Sequence, residues 1–183
     1  MGGDTATVLV AAEAGALADH AERALADDHA LRLAENGGQT LSKLDDGVDV
    51  LLLHRGVPGI SGDQALDEID ARGLDCRVAL VTATAPEFDV VAAGFDDVLT
   101  APVDTADLRS TVERLLALNT YEQKYQELSS KIVKRNIMEV ERTEAELTDS
   151  ERFAELQARI EELERELAEL QAEREFDERL LPT

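Results

Sequence analysis

Few side chains in this sequence are of the types that carry out chemistry. There are three histidines and one cysteine, and there is no CxxC pair, no glycine-rich phosphate loop and no Ser–His–Asp arrangement. The strongest candidates are His54, directly after the apolar run VDVLLL, and Glu13, after the run TVLVAA. A histidine can accept a phosphoryl group or bind a metal, but two ligands fall short of the three or four of a usual zinc site. We therefore expect His54 to fill a pocket, hydrogen-bonded to Glu13, and we predict no metal, no cofactor and no catalytic residue.

Short apolar runs alternate with amphipathic segments over residues 1–118, the first predicted domain. Strands are predicted at 7–11, 29–34, 48–53, 77–82 and 97–100, and helices at 15–25, 39–44, 63–71, 86–93 and 105–118, the last capped by Thr105. Strands that alternate with helices imply βαβ units and a parallel sheet covered on both faces. The count and the length match a flavodoxin-like, doubly wound α/β fold with strand order 2-1-3-4-5.

The composition changes after about residue 119. Glycine disappears and charged residues, leucine and alanine dominate, which predicts a second, α-helical domain over residues 119–183. The apolar spacing predicts a helix of about 35 residues that continues from the first domain, a break near 143–150 with a capping box of Thr148 and Glu151, and a further helix. The predicted packing residues are Tyr121, Tyr125, Leu128, Ile132, Leu156, Ile160, Leu163 and Leu167.

This apolar stripe has to be buried against another surface, and three arrangements remain open. It can form a helical hairpin, a dimer with a second chain, or a contact with a groove on another partner. We favour a homodimer, although the stripe is shorter than the three to four heptads that make a coiled coil secure.

A cationic stripe in the tail raises the alternative of a nucleic-acid partner. Its residues are Lys124, Lys131, Arg135 and Arg142, with Lys134 beside them. Cationic stripes attract phosphates, but the same side chains can pair with glutamates three or four positions away. The second explanation agrees better with the charge of the whole chain.

The net charge of the chain is −22, and arginine supplies 14 of the 18 basic residues. This acidic, lysine-poor composition resembles that of proteins from salt-loving organisms, in which salt screens the repulsion between carboxylates. One cysteine excludes an internal disulfide and favours a reducing compartment. No apolar stretch reaches the roughly 18 residues of a membrane span and no signal peptide is evident, so we expect a cytoplasmic protein with no membrane partner.

Four segments of the first domain resemble the receiver domains of response regulators, the CheY-like proteins of two-component phosphorelays. They are TVLVAAEAG at 7–15, VDVLLLHRGVPGISGDQAL at 48–66, VTA at 81–83 and GFDDVLTAPV at 94–103. The tail resembles the HalX domain of haloarchaeal regulators through YEQKYQELSSKIVKRN at 121–136 and the charged segment at 141–170. The receiver resemblance also implies a dimer contact near Leu108, Val112, Leu115 and Leu116.

The resemblance implies a phosphorylation site whose components are mostly absent here. The acceptor aspartate corresponds to His54, the Mg²⁺-binding acidic pair to Ala12 and Glu13, and the lysine to Ala101, whereas the hydroxyl of Thr82 is retained. We therefore predict a non-enzymatic pseudo-receiver that acts as a phosphorylation-independent interaction and dimerisation module. Two alternatives remain: a transcription regulator whose tail contacts DNA or a promoter-bound protein, and a phosphoacceptor or metal site that uses His54.

Overall fold

The computed structural model of the chain describes residues 5–84 and 92–180. The chain divides into two compact units, residues 1–119 and residues 120–183, and the division falls within one continuous helix. Most of the helix predicted at 86–93 lies outside the described residues, and Ala92 and Ala93 belong to a turn.

The first unit alternates strands and helices, as the sequence predicts. The strands are β1 Thr7–Ala11, β2 Ala30–Ala34, β3 Val50–His54, β4 Arg77–Thr82 and β5 Asp97–Thr100. The helices are α1 Ala16–Leu25, α2 Gly37–Lys43, α3 Gly62–Arg72 and the beginning of α4 Thr105–Glu141. All strand pairs are parallel and the order is β2-β1-β3-β4-β5, which confirms the doubly wound fold.

Alternate residues of the central strands point to opposite faces of the sheet, where they belong to two separate apolar cores. On one face Leu51 and Leu53 of β3 pack with residues of α2, α3 and the buried Phe95. On the other face Val50 and Leu52 pack with residues of α1 and α4. Burial on both faces explains why these strands are continuous apolar runs rather than alternating ones.

The α4 residues near which the receiver resemblance implies a dimer contact belong to this core. Leu108, Val112 and Leu115 of α4 are 0%, 0% and 2% exposed, and Leu116 packs against the same cluster. The side chains of Leu108, Val112 and Leu115 are therefore covered by the sheet and are not available to a second chain, whereas a dimer contact near them stays a prediction.

The start of α4 also differs from the prediction that Thr105 caps it. Thr105 is the first residue of the helix, and the Oδ1 atom of Asp104 accepts the N–H of Asp107 at 2.8 Å. Asparagine, aspartate, serine and threonine are all good helix caps, so the sequence Asp104–Thr105 offers two neighbouring candidates and periodicity alone does not separate them.

The second unit contains the rest of α4, the short helix α5 Glu144–Thr148 and α6 Glu151–Leu180. The break falls in the predicted segment, but the capping box of Thr148 and Glu151 is wrong. Instead, Glu146 Oε2 accepts the N–H of Thr143 at 2.9 Å at the start of α5. Before α6, Ser150 Oγ accepts the N–H of Phe153 at 3.3 Å.

Candidate functional site

The residues predicted to form a degenerate phosphorylation pocket lie at the carboxyl edge of the sheet. Ala12 and Glu13 follow β1, His54 ends β3, Thr82 ends β4 and Ala101 follows β5. Parallel strands about 4.8 Å apart bring their carboxyl ends to one edge, which in this kind of fold is where ligands bind. The fold therefore gathers the five positions on four neighbouring strand ends.

His54 is half-buried and is held by its own loop. Its Nδ1 atom accepts the N–H of Gly56 at 3.2 Å, so the neutral ring carries its proton on Nε2. The backbone continues the sheet here, since the N–H of Arg55 donates to the carbonyl of Val81 at 2.8 Å. The imidazole is thus held by its own loop at the carboxyl end of β3.

Glu13 does not make the predicted hydrogen bond to His54. Its side chain is exposed, and neither hydrogen bond nor ion pair joins the two residues in the described part of the chain. The neighbouring Ala12 is only 6% exposed and its methyl group belongs to the core on the α1 and α4 face. The prediction of a Glu13–His54 contact is wrong because the carboxylate turns to solvent.

Thr82 and Ala101, the other two positions, also form hydrogen bonds within the fold. Thr82 is 2% exposed, and its hydroxyl donates to the carbonyl of Thr84 at 3.0 Å. The N–H of Ala101 donates to the carbonyl of Thr82 at 2.7 Å, and its methyl group packs against the core. The hydroxyl of Thr82 therefore stabilises its own turn, and Ala101 places a methyl group rather than a charge at its position.

A divalent cation does not fit this set of side chains. Mg²⁺ takes oxygen ligands in near-octahedral geometry, usually from one or two carboxylates with water. The five predicted positions offer one exposed carboxylate, two methyl groups, a hydroxyl and an imidazole. Over the described ranges 5–84 and 92–180, no three His, Cys, Asp or Glu residues come close enough to hold a metal ion.

In the second unit, seven of the eight predicted packing residues form one apolar cluster. Leu128 of α4 packs with Ile160, Leu163 and Leu167 of α6, which are 9%, 3%, 0% and 6% exposed. Three half-buried side chains complete the cluster: Tyr121, Ile132 and Leu156. The stripe is thus buried within the chain as an α-helical hairpin, the first of the three predicted arrangements.

Tyr125 is the exception among the packing residues. Its side chain is 51% exposed, and its ring stacks on Tyr121 with centroids 6.4 Å apart. The two tyrosines lie four positions apart on α4, which places them one turn apart on the same side of the helix. The prediction that Tyr125 is buried in the tail is wrong.

Ion pairs between the two helices border this cluster. Arg159 binds Glu127 through two hydrogen bonds of 3.0 and 2.9 Å, and Lys124 binds Glu166 at 2.9 Å. The hydrogen bonds from Arg159 lower the pKa of Glu127, and Lys124 likewise lowers the pKa of Glu166. These pairs were missed at the sequence level because their partners lie 32 and 42 residues apart, and only the register of the hairpin brings them together.

The remaining cations of the predicted nucleic-acid stripe border an open cleft. Lys124 is paired, and Arg135 lies 3.8 Å from Glu139. Lys131, Lys134 and Arg142 line a cleft of about 500 Å³ together with Arg152 of α6. In the part of the chain that the structure describes, these four cations have no carboxylate within 4 Å, so their charge is available to an anionic partner.

Comparisons with known proteins agree with both units. Residues 117–180 match the family model of the HalX domain. A protein of Methanospirillum hungatei, a CheY-like response regulator receiver domain, superposes with a TM-score of 0.57 at 21% identity, over 65% of this chain and 99% of its own. The first unit therefore has the receiver fold, and a HalX domain follows it.

Two curated relatives are longer proteins. One from Haloferax volcanii, provisionally named a transcriptional regulator, is 40% identical over 135 residues, which are 72% of this chain and 22% of the relative. One from Thermotoga maritima, named a cyclic di-GMP phosphodiesterase, is 32% identical over 124 residues, 66% of this chain and 33% of the relative. The chain thus spans between about a fifth and a third of these relatives. Within residues 5–84 and 92–180, no helix has the length and apolar character of a membrane span.

Proposed function

We propose that this chain is a non-enzymatic signalling protein of the response-regulator type, a pseudo-receiver that acts without phosphorylation. It works by binding other proteins and by self-association through its helical domain. The observation that carries the proposal is the side-chain set at the carboxyl edge of the sheet, where an imidazole and two methyl groups occupy positions that need an acceptor carboxylate, a second acid and a lysine.

Each of these replacements removes a different physical component. Without a carboxylate in the position of His54, no acyl phosphate can form. With Ala12 beside a solvent-facing Glu13, the oxygen ligands for Mg²⁺ are too few. With Ala101 in the position of the lysine, the charge on a phosphoryl group would be unpaired in a half-buried site, which is unfavourable.

The fold itself remains intact around this edge, and that supports a binding role. The strands, the loop after His54 and the turn after Thr82 are all hydrogen-bonded and packed. A receiver scaffold kept without its chemistry still offers a protein surface. Its one cysteine, buried and unpaired, agrees with the cytoplasmic location that we include in the proposal.

The test is incubation of the chain with Mg²⁺ and acetyl phosphate, followed by intact mass measurement at neutral pH, with an active receiver as the positive control. We expect no phosphoryl adduct on the wild-type chain, and none on His54→Asp, because the second acid and the lysine are still absent. A stoichiometric adduct on the wild-type chain that His54→Gln removes would contradict the proposal and support a phosphohistidine instead.

A second candidate is a transcription regulator whose helical tail contacts DNA. The cleft lined by Lys131, Lys134, Arg142 and Arg152 favours it, and so does the name of the Haloferax volcanii relative. If this candidate is correct, Arg152→Glu weakens binding to a duplex and lowers its salt dependence. Arg165→Glu, an equal change of charge on the same helix but outside this cleft, has little effect. Equal loss in both variants would indicate non-specific attraction only.

A further inference from the structure

The cleft of about 500 Å³ between α4 and α6 lies wholly within the second unit. Its α4 side is one face of the helix, because its residues from Lys131 to Arg142 recur three or four positions apart. At ~1.5 Å per residue this face is about 16 Å long, which is three turns of an α-helix. The volume is that of an ordinary ligand site, and the length suits a short helical segment.

Apolar side chains from both helices line this cleft. Met138 and Leu156 are half-buried, and Leu156 also packs against the apolar cluster of the hairpin. Ile137 precedes Met138 and is 50% exposed. The hairpin therefore leaves part of its apolar surface open to a partner, and the unbranched side chain of methionine adapts readily to the shape of one.

The charge of this cleft is opposite to that of the unit around it. Residues 120–183 contain 18 acidic and 10 basic side chains. Arg159 lines the cleft but is already bound to two glutamates. The other charged side chains that line it are two carboxylates and four cations without an ion pair in the described ranges, namely Glu141, Glu155, Lys131, Lys134, Arg142 and Arg152. Free cations are thus concentrated beside open apolar surface.

Two neighbouring clefts of the same unit show that this concentration is local. One is lined by Arg142 together with two glutamates. The other is lined by Arg159 and Arg165 together with three glutamates. A basic side chain of this unit therefore usually lies among carboxylates, and the cleft between α4 and α6 differs from both neighbours in having more cations than acids.

A partner that fits this cleft needs carboxylates and apolar side chains on the same surface. An acidic amphipathic helix offers both, since helices that dock in grooves present apolar anchors three or four positions apart. A nucleic-acid duplex supplies phosphates but leaves Ile137 and Met138 without an apolar partner, and its attraction falls steeply as salt rises. The composition of this chain is like that of salt-loving proteins, and in concentrated salt apolar contacts persist while charge attraction is screened.

We propose that the cleft between α4 and α6 binds an acidic amphipathic helix of about three turns, supplied by a partner protein. The inference rests on the proposed function of the chain as a protein-binding module and names the chemistry of the partner. The apolar side of the partner helix covers Ile137, Met138 and Leu156. Its flanking carboxylates pair with the four cations.

A synthetic acidic helix tests this assignment. The probe is a fluorescein-labelled peptide of about 14 residues, or four turns, with leucines at 3, 4 spacing and glutamates elsewhere. Fluorescence anisotropy measures its binding to the whole chain, and we expect saturation at one peptide per chain. The same peptide with glutamine in place of every glutamate should bind about tenfold more weakly. Absence of saturable binding by the acidic peptide would overturn the inference.

Matched substitutions locate the bound peptide. At the lowest KCl concentration that keeps the chain folded, Arg152→Glu should weaken binding about tenfold, because an attraction becomes a repulsion. Arg165→Glu, the same change of charge on α6 outside this cleft, should have little effect. Ile137→Gln should weaken binding about fivefold by removing an apolar contact, whereas Val133→Gln, at a similarly exposed apolar residue outside the cleft, should not. Equal losses in variants and controls would contradict binding in the cleft.

Salt separates the possible occupants of the cleft. In concentrated KCl the effect of Arg152→Glu should shrink because salt screens it, and the effect of Ile137→Gln should remain. A DNA duplex that binds more tightly than the peptide in this salt, and that requires Arg152, would give the cleft to nucleic acid. A dimer that Arg152→Glu dissociates, without any peptide binding, would give it to a second copy of the chain. Either result would overturn the inference.

The peptide experiment and the acetyl phosphate experiment fail independently. If no peptide binds and acetyl phosphate gives no adduct, the inference is wrong and the loss of phosphorylation is still supported. If an adduct forms on the wild-type chain, the pseudo-receiver proposal is wrong, and peptide binding still decides what the cleft accepts.

Discussion

The side chain of His54 is an imidazole and has no carboxylate oxygen that could form an acyl phosphate. Its Nδ1 atom is engaged by the N–H of Gly56, and the methyl groups of Ala12 and Ala101 fill space in the core rather than pointing a charge at the edge. Restoring one carboxylate would therefore add an acidic group without the cations that make it an acceptor.

The loop that follows His54 is fixed by a close backbone contact. A Cβ atom added at Gly37, the first residue of α2, would meet the carbonyl oxygen of Gly59 at 2.2 Å, and Gly37 donates its N–H to Pro58 at 2.8 Å. Backbone atoms cannot move aside as a flexible side chain can. The loop can therefore approach α2 this closely only because Gly37 has no side chain.

We predict that Gly37→Ala lowers the free energy of unfolding by about 1–3 kcal/mol, the usual cost of overpacking. Chemical denaturation in KCl measures it. The adjacent Gly38→Ala is the control, because its Cβ would meet only Asn36 Oδ1, at 3.4 Å. We expect the control to change stability by less than about 0.5 kcal/mol, as surface substitutions usually do. Equal effects at the two glycines would show that the close contact is not important.

At the scale of elements, the hairpin of α4 and α6 is held by an apolar cluster and by ion pairs across the two helices. The pKa of Glu127 is lowered, chiefly by its hydrogen bonds from Arg159. A carboxyl group with a lowered pKa in the folded state stabilises the fold above its ordinary pKa of about 4.3. That stabilisation is lost as the pH falls through the lower folded-state value.

We predict that Glu127→Gln melts at a lower temperature than the wild-type chain at pH 7, and that this difference shrinks towards zero as the pH falls to about 3. The pair is more than a third exposed, so the effect is modest. Protonation of other carboxylates also relieves repulsion, which is why the difference between the two chains is measured. Glu164→Gln, at an exposed glutamate on α6, should follow the wild-type chain at every pH. A difference that stays constant across this pH range would contradict the assignment.

The sequence predicted strands and helices well where local pattern determines them. The five apolar runs followed from periodicity, and the order of the sheet followed from their alternation with helices. The stripe from Leu128 to Leu167 indicated that these side chains are buried, but it left a hairpin, a homodimer and a partner groove open, and the homodimer was favoured. Partners that are far apart in the chain were not predictable, as with Arg159 and Glu127. The relation between Glu13 and His54 was not predictable either. Their residue types suggested a contact, but the rotamers of the two side chains decide whether it forms.

The predictions of the helix boundaries failed for a related reason. Thr105 and Thr148 are suitable caps by residue type, but Asp104 and Ser150 stand at the actual starts of α4 and α6. Several residues of the right type lie within a few positions of each break. Which of them adopts the non-helical backbone of a cap depends on the whole segment and not on residue type alone.

At the scale of the molecule, an acidic receiver fold leads directly into a HalX domain through one continuous helix. The net charge of −22 is spread over both units, and the chain is 40% identical over 135 residues to a protein of Haloferax volcanii. Screening by salt should support such a fold. Measurements of its stability and association are therefore best made in concentrated KCl.

The most direct test of the lost phosphorylation site is a thermal melt of the whole chain in concentrated KCl, with and without Mg²⁺ and beryllofluoride, a mimic of the aspartyl phosphoryl group. A ligand at 100 times its dissociation constant stabilises a fold by about 2.7 kcal/mol, which raises the melting temperature of a domain of this size by several degrees. An active receiver should show that rise under the same conditions. Our account predicts no change for this chain, and a clear rise that depends on both Mg²⁺ and beryllofluoride would contradict it.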